Sequence, residues 1–147
     1  MRPLIRFVML VCPLALASLT LAPTVRAQDK APGEAIVSMY QVSAGKHLEF
    51  LKWMAKREAI TKEAGGPATM WYVHTNGDGW DYVGITPQLD GAKQAGLDKK
   101  VDEISKAKGL TIGMKASLEF RQFIAKHSDT FAMGPMTADE IVKMAEK

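Results

Sequence analysis

The chain has 147 residues, of which 47% are hydrophobic and 24% charged, and this size suits one domain rather than several. It carries 19 Lys and Arg against 16 Asp and Glu, but three of the arginines, Arg2, Arg6 and Arg26, lie in the first 27 residues, which contain no acidic residue. The remaining 16 basic residues balance the 16 acidic ones, and this balance argues against a nucleic-acid-binding surface.

The first 27 residues have the pattern of a cleavable secretory signal peptide. Arginines begin it, an apolar run from about Phe7 to Leu21 follows, and Val25-Arg26-Ala27 supplies a cleavage site. The apolar run is short and interrupted by prolines, whereas a bilayer span needs about 20 apolar residues. We expect cleavage after Ala27, a periplasmic or secreted domain over residues 28–147, and no membrane association after cleavage. A retained N-terminal anchor is the alternative.

The cysteine count and the motifs limit the chemistry of the mature chain. Cys12, the only cysteine, lies in the leader, so the mature chain has no disulfide and no thiolate nucleophile. No His spacing typical of a metal site, no G-x-S-x-G nucleophile motif and no dinucleotide fingerprint occurs in the sequence. We therefore expect no metal and no cofactor, and a fold stabilised by its core or by a partner subunit.

Periodicity predicts a β-α-β-β-α-β order, with an extra helix before the last strand and a short helix at the end. The predicted strands cover 35–42, 68–75, 80–86 and 129–136. The predicted helices cover 46–64, 91–108 and 115–126, and a capping box at Thr137 and Glu140 begins the terminal one. The strongest local signal is the Asn-Gly-Asp-Gly turn at 76–79 between two aromatic runs, which is typical of a β-hairpin. This α+β order is the ferredoxin-like split β-α-β arrangement.

The opening segment VSMYQVSAGKHLEFLKWM (residues 37–54) resembles the first strand, Gly-Lys turn and helix of the dimeric α+β barrel superfamily. That superfamily includes NIPSNAP-like and antibiotic-biosynthesis-monooxygenase-like domains. The similarity covers most of the mature chain in element order, and in residues it is specific around Tyr40 to Phe50. It implies that the sheets of two subunits close face to face into a barrel, with a pocket on each side. The insertion at 88–115 departs from the simplest members of the group.

Strand alternation in the hairpin predicts large side chains on both faces of the sheet. In its second strand one face carries Asp81, Val83 and Ile85, and the other carries Trp80, Tyr82, Gly84 and Thr86. Helices cover only one face, so the other is expected to keep large aromatic side chains that a second subunit or a ligand would cover. Ordinary packing within the hairpin is the alternative.

Aromatic and basic side chains form the predicted ligand-binding set. Arg57 lies one helical turn after Trp53, where the two side chains can stack or hold a carboxylate. His127 can pair with Asp129 at the end of a helix, although a histidine there equally suits the helix dipole. The full set is Tyr40, Trp53, Arg57, Trp71, Trp80, Tyr82 and His127.

His74 and Tyr72 are the candidate catalytic residues. His74 is predicted to lie on a strand, beside Tyr72 and across the hairpin from Tyr82, where an imidazole can serve as a general base. The alternative is a core histidine that simply bonds to a backbone carbonyl.

Two functions of different classes fit these observations. The first is an exported protein that binds a small apolar or aromatic molecule in an aromatic-lined pocket of a homodimer. The second, implied by the resemblance, is a cofactor-independent enzyme of the monooxygenase or isomerase type, in which His74, Tyr72 or Tyr40 relays a proton. One strand histidine gives only thin support for haem binding.

Overall fold

The computed structural model describes residues 33–77 and 79–147, and the predicted signal peptide lies outside these ranges. Within them, no helix is long and apolar enough to cross a membrane. The described elements, in chain order, are β1 (Gly33–Val42), α1 (His47–Glu63), β2 (Met70–Val73), β3 (Tyr82–Pro87), α2 (Gly91–Ala107), α3 (Gly113–Arg121), β4 (Ile124–Gly134) and α4 (Ala138–Ala145).

The four strands form one sheet in the order β2-β3-β1-β4, and each neighbouring pair is antiparallel. A central β1 flanked by β3 and β4, with α1 between the first two strands of the chain, is the split β-α-β arrangement. The predicted ferredoxin-like α+β fold is confirmed by this topology.

The core lies between the sheet and α1. Tyr40 in β1 pairs with Tyr82 in β3 and with His127 in β4, and paired residues point to the same face of a sheet. Phe50 of α1 is 0% exposed and packs its ring 5.2 Å from Tyr40 and 5.6 Å from Tyr82. Val42 completes this buried group. The helices therefore cover the face of the sheet that carries Tyr40.

A glycine in β3 lets an indole ring lie across the sheet beneath α1. Gly84 pairs with Trp71 of β2, and a Cβ at Gly84 would lie 3.4 Å from the Trp71 ring and 3.1 Å from Thr69 Cγ2. Because that space is filled, a larger residue at Gly84 would displace the indole.

The opposite surface of the sheet, which we call the open face, is mainly aliphatic over β1, β2 and β3, where it includes Val37, Met39, Met70, Tyr72, Val83 and Ile85. Along β4 the same face is polar, because Ser128 and Thr130 are the cross-strand partners of Met39 and Val37. Met39, Met70 and Tyr72 are 39%, 46% and 54% exposed. Large aromatic side chains were expected here; Tyr72 is the one from the hairpin strands that lies on this face, because the register turns Trp71 and Tyr82 toward the helices.

The boundary between α3 and β4 differs from the sequence prediction. The predicted helix to residue 126 ends at Arg121, and the predicted strand from 129 begins at Ile124. Ile124 and residues 126–128 pair with β1, with Ala125 at a register shift between them, so pairing with the sheet outweighs the helix propensity of Ala125 and Lys126. His127 consequently lies within a strand and not at the end of a helix. The other helix and strand boundaries agree to within about two residues, and the capping box of α4 is confirmed.

Candidate functional site

Six of the seven predicted ligand-binding side chains come together between the sheet and helices α1 and α3. Five of the six have rings, and we call these five rings, with those of Phe50, Phe120 and Phe123, the aromatic cluster. Tyr40 is its centre, with ring centroids 5.5 Å from Trp71, 6.2 Å from Phe120 and 4.9 Å from His127. Phe120 also packs 5.6 Å from Trp53. The six are Tyr40, Trp53, Arg57, Trp71, Tyr82 and His127.

A cleft of about 310 Å³ opens beside this cluster, between α1 and the segment that includes α3. We call it the α1–α3 cleft. Its apolar lining consists of Trp53, Leu110 and Phe123, and the Trp53 and Phe123 rings are 6.3 Å apart. Its charged lining consists of Glu49, Lys52, Lys56, Arg57 and Glu119.

Arg57 is held in place on one wall of the cleft. Its Cζ lies 4.7 Å from the Trp53 ring centroid, so the predicted stacking of this pair is confirmed. Its Nη2 donates to the Thr111 carbonyl oxygen at 2.7 Å and to the Thr111 hydroxyl at 3.1 Å. Glu119 lies 3.9 Å from the same nitrogen. These contacts tie α1 to the loop before α3 and fix the position of the Trp53 ring.

Glu119 is kept ionised by its neighbours. The Thr111 hydroxyl donates to Oε2 at 2.7 Å, and the Trp53 indole N–H donates to the same oxygen at 3.3 Å. The pKa of Glu119 is lowered, chiefly by the hydrogen bond from Thr111. The hydrogen bond from Trp53 and the charge of Arg57 add smaller contributions.

Two lysines give the α1–α3 cleft its positive character. Arg57 is offset by Glu119, and Glu49 lies 3.7 Å from Lys46, one turn away. Lys52 and Lys56 are one helical turn apart on α1, and they remain as the cations beside the apolar lining. The cleft thus combines an aromatic wall with a positive rim.

A second polar group lies on the other side of Phe120, where β4 pairs with β1. His127 Nε2 is 3.0 Å from Asp129 Oδ1, and the Ser38 hydroxyl donates to that same oxygen at 2.6 Å. Residues two apart in a strand share a face, and Ser38 is the cross-strand partner of Asp129. The predicted pairing of His127 with Asp129 is therefore confirmed, although its setting is a strand. We call it the His127–Asp129 pair.

Carboxylates also act on Trp71 and Tyr40, by a hydrogen bond in the first case and by their charge in the second. The Trp71 indole N–H donates to Glu58 of α1. Burial, the largest cause, raises the pKa of Tyr40, with Asp129 and Glu58 adding to the rise and a hydrogen bond to Ser38 opposing it. Tyr40 therefore stays protonated at neutral pH and is available as a hydrogen-bond donor.

The structure does not bring the two predicted catalytic residues to the aromatic cluster. His74 follows the end of β2, and its ring packs 5.0 Å from Trp80 near the hairpin turn. Tyr72 lies on the open face. Trp80 thus joins His74 rather than the other predicted ligand-binding residues. Among residues 33–77 and 79–147, no group of three His, Cys, Asp or Glu side chains is arranged to hold a metal ion.

Sequence reasoning missed two of these residues, Ser38 and Thr111, in their structural roles. Ser38 alternates with Tyr40 on β1, and this spacing alone places it on the helix-facing side. Thr111 has no periodic signal, since it lies in a loop and acts only through tertiary contacts with Arg57 and Glu119.

No family model and no curated protein matches this sequence. Among solved structures, an uncharacterized NIPSNAP domain protein from Burkholderia xenovorans matches with a TM-score of 0.50 and 15% identity, over 71% of this chain and 96% of that one. The chain has a NIPSNAP-type, ferredoxin-like fold. A dimeric ferredoxin-like protein from an uncultured marine organism matches with a TM-score of 0.48 and 12% identity, over 74% of this chain and 92% of that one. Such a likeness concerns the fold and leaves the function to be argued from the site.

Proposed function

We propose that this protein is exported and binds a small aromatic anion in the α1–α3 cleft. The observation that carries the proposal is the cleft itself, whose volume of about 310 Å³ falls at the lower end of the usual range for small-molecule sites. A site of this size suits a molecule of one or two fused rings.

The aromatic wall supports recognition of a ring. The Trp53 side chain is held by Arg57 on its face, by Glu119 at its N–H and by the neighbouring Phe120 and Phe123 rings. A ring that is already fixed loses little conformational entropy when a ligand stacks on it. The wall is therefore preorganised for a flat partner.

The positive rim supports recognition of an anion. The cleft contains two carboxylates, and each lies near another cation: Glu119 near Arg57 and Glu49 near Lys46. Lys52 and Lys56 are therefore the cations that a bound anion would meet. An exposed charge pair contributes up to about 1 kcal/mol, which corresponds to about a fivefold difference in affinity. The lysines thus select the charge of the ligand more than they supply the affinity.

Export rests on the sequence pattern of residues 1–27. Arginines, an apolar run and a cleavage site occur there in the order that a secretory signal peptide requires. Cleavage after Ala27 would leave Gln28 at the N-terminus of a periplasmic or secreted domain. The intact mass of the purified protein distinguishes this from a retained anchor.

A homodimer that packs open face against open face is the second part of the proposal. The open face presents half-exposed Met39, Met70 and Tyr72 around Val83 and Ile85, an apolar surface that a second copy would remove from water. The α1–α3 cleft lies on the helix side of the sheet and stays accessible in this arrangement.

Calorimetric titration of the mature protein with 1-naphthoate and with its neutral analogue 1-naphthalenemethanol tests the binding function. We expect 1-naphthoate to bind about fivefold more tightly. Trp53→Ala should weaken both ligands about 30-fold, because it removes the aromatic wall. Lys52→Ala with Lys56→Ala should reduce 1-naphthoate to the level of the neutral analogue.

The matched control is Lys62→Ala, which removes an exposed lysine from the last turn of the same helix, outside the cleft. It should leave both affinities unchanged. Binding that survives Trp53→Ala would place the ligand elsewhere, and equal affinities for the two compounds would refute the selection of an anion.

A further inference from the structure

The hydrogen bonds of the His127–Asp129 pair fix which nitrogen of the imidazole carries its proton. Asp129 Oδ1 lies 3.0 Å from Nε2 and already accepts from the Ser38 hydroxyl. A carboxylate oxygen only accepts, so Nε2 must be the protonated nitrogen in this contact. In the neutral ring this leaves Nδ1 with a free lone pair, which is the form that a general base requires.

Two aromatic side chains hold the imidazole in one orientation. The Tyr40 ring stacks on it at 4.9 Å with an interplanar angle of 20°, and the Phe120 ring meets it edge-on at 5.2 Å. The His127 side chain remains 28% exposed, so the imidazole is not sealed in the core. The base is therefore fixed on strands and a helix and still open to solvent.

From this arrangement we propose that the His127–Asp129 pair is a proton-transfer site for neutral aromatic ketones with an acidic α C–H bond. Nδ1 of His127 takes the α proton, and the electron pair of the broken C–H bond becomes the enolate of the ketone. Asp129 stabilises the imidazolium that forms. Return of a proton from the imidazolium to carbon restores the ketone and the neutral base, so no oxidant or cofactor is needed.

The charges around the pair favour a neutral substrate. Asp129 lies against the imidazole, and Glu58 lies close enough to Tyr40 to raise the pKa of its hydroxyl. Two carboxylates disfavour an anion, whereas the half-buried Phe120 ring beside His127 offers a surface to an aromatic group. This selectivity is opposite to that of the α1–α3 cleft, from which Phe120 separates the pair.

Exchange of the α hydrogens of 2-indanone for deuterium, followed by proton NMR in D2O, tests the proposal on the full mature protein. We expect the protein to exceed an equal concentration of free imidazole in exchange rate. His127→Ala should remove this excess, a loss of about 100-fold or more for a positioned general base. Asp129→Asn should reduce it about tenfold, because the amide oxygen keeps the hydrogen bond but loses the charge.

His47→Gln is the matched control, since it removes an exposed histidine at the start of α1 whose ring contacts Tyr82 and neither His127 nor Asp129. It should leave the exchange rate unchanged, and circular dichroism should show that every variant is folded. A protein no faster than imidazole, or an equal loss in His47→Gln, would overturn the proposal.

The tautomer of His127 provides a second readout that needs no substrate. Long-range nitrogen–proton NMR on labelled protein is expected to show the proton of the neutral ring on Nε2, and Asp129→Ala is expected to release this preference. A proton on Nδ1 in the wild-type protein would overturn the assignment of that atom as the base.

Discussion

The two faces of the sheet differ in the kind of side chain they carry and in how those side chains are bonded. On the helix-facing side, Tyr40, Trp71 and His127 pack ring against ring. Glu58 of α1 accepts the indole N–H of Trp71, and Asp129 of β4 accepts the imidazole N–H of His127. On the open face, Val83, Ile85 and neighbouring methionines lie half exposed. The helix-facing side thus carries the two proposed small-molecule sites, whereas the open face carries the proposed dimer interface.

The largest difference between the faces should appear in stability. Phe50 is fully buried beneath α1, so Phe50→Ala should lower the free energy of unfolding by about 3–5 kcal/mol. Met70 on the open face is 46% exposed, and Met70→Ala should cost less than about 1 kcal/mol in the monomer. Urea denaturation measures both in a background that carries Val83→Lys, which is expected to keep the protein monomeric. Similar losses in the two variants would contradict a core confined to the helix side.

Association should respond in the opposite sense. Val83→Lys places a charge on the open face of each copy, so a symmetric dimer would bring two like charges together. We expect native mass spectrometry to show a dimer for the wild-type protein and a dissociation constant at least about 100-fold larger for this variant. Leu118→Lys, on exposed α3, should remain dimeric. Loss of the dimer in Leu118→Lys alone would move the interface to the helix side.

The dependence of Tm on pH should reflect the hydrogen bonds that Glu119 accepts in the α1–α3 cleft. The Thr111 hydroxyl and Trp53 indole hold the pKa of Glu119 below its ordinary value of 4.5. A lowered pKa means that the ionised carboxylate stabilises the fold above about pH 4.5, and that this contribution is lost as the pH falls through the lowered pKa. Glu119→Gln should therefore lower Tm near neutral pH and converge with wild type in acid.

Thr111→Val sharpens this experiment, because it removes the main donor to Glu119 and leaves the carboxylate in place. Its Tm deficit should likewise shrink as the pH falls below about 4.5. A deficit of constant size at every pH would show that Glu119 acts through packing and not through its charge.

The smallest expected effect is at the C-terminus. Thr137 and Glu140 form the capping box of α4, whose residues are all exposed. Thr137→Ala should raise amide exchange in α4 about fivefold, which corresponds to about 1 kcal/mol for a lost N-cap. The global Tm should not change. A fall in the global Tm that accompanies the faster amide exchange in α4 would show that this helix is packed against a second copy.

The fold could be predicted from local signals that the tertiary structure does not override. The hairpin turn at 76–79, the glycines after α1 and the capping box of α4 each require particular backbone geometry wherever they occur. The boundary between α3 and β4 could not be predicted, because Ala125 and Lys126 favour a helix and only the pairing of Ile124 and Lys126 with β1 extends the strand through them.

The candidate site could be predicted where it depends on spacing along one element. Trp53 and Arg57 are four residues apart on a helix, and His127 and Asp129 are two apart, a spacing that brings side chains together on a strand. The contacts of Thr111 with Arg57 and of Ser38 with Asp129 join residues far apart in sequence. The periodicity of a single element does not predict such contacts. The sequence favoured His74 as the catalytic histidine because its predicted strand places it beside Tyr72.

A nitrogen–proton NMR titration with 1-naphthoate tests most directly whether the ligand binds in the α1–α3 cleft. It follows the indole N–H signals of Trp53, Trp71 and Trp80 in one experiment. Binding in the α1–α3 cleft should shift the Trp53 signal, since this indole forms the wall and donates to Glu119. The Trp80 signal, near the hairpin turn, should stay in place. A shift of Trp80 with an unmoved Trp53 signal, or no shift at saturating ligand, would contradict the account.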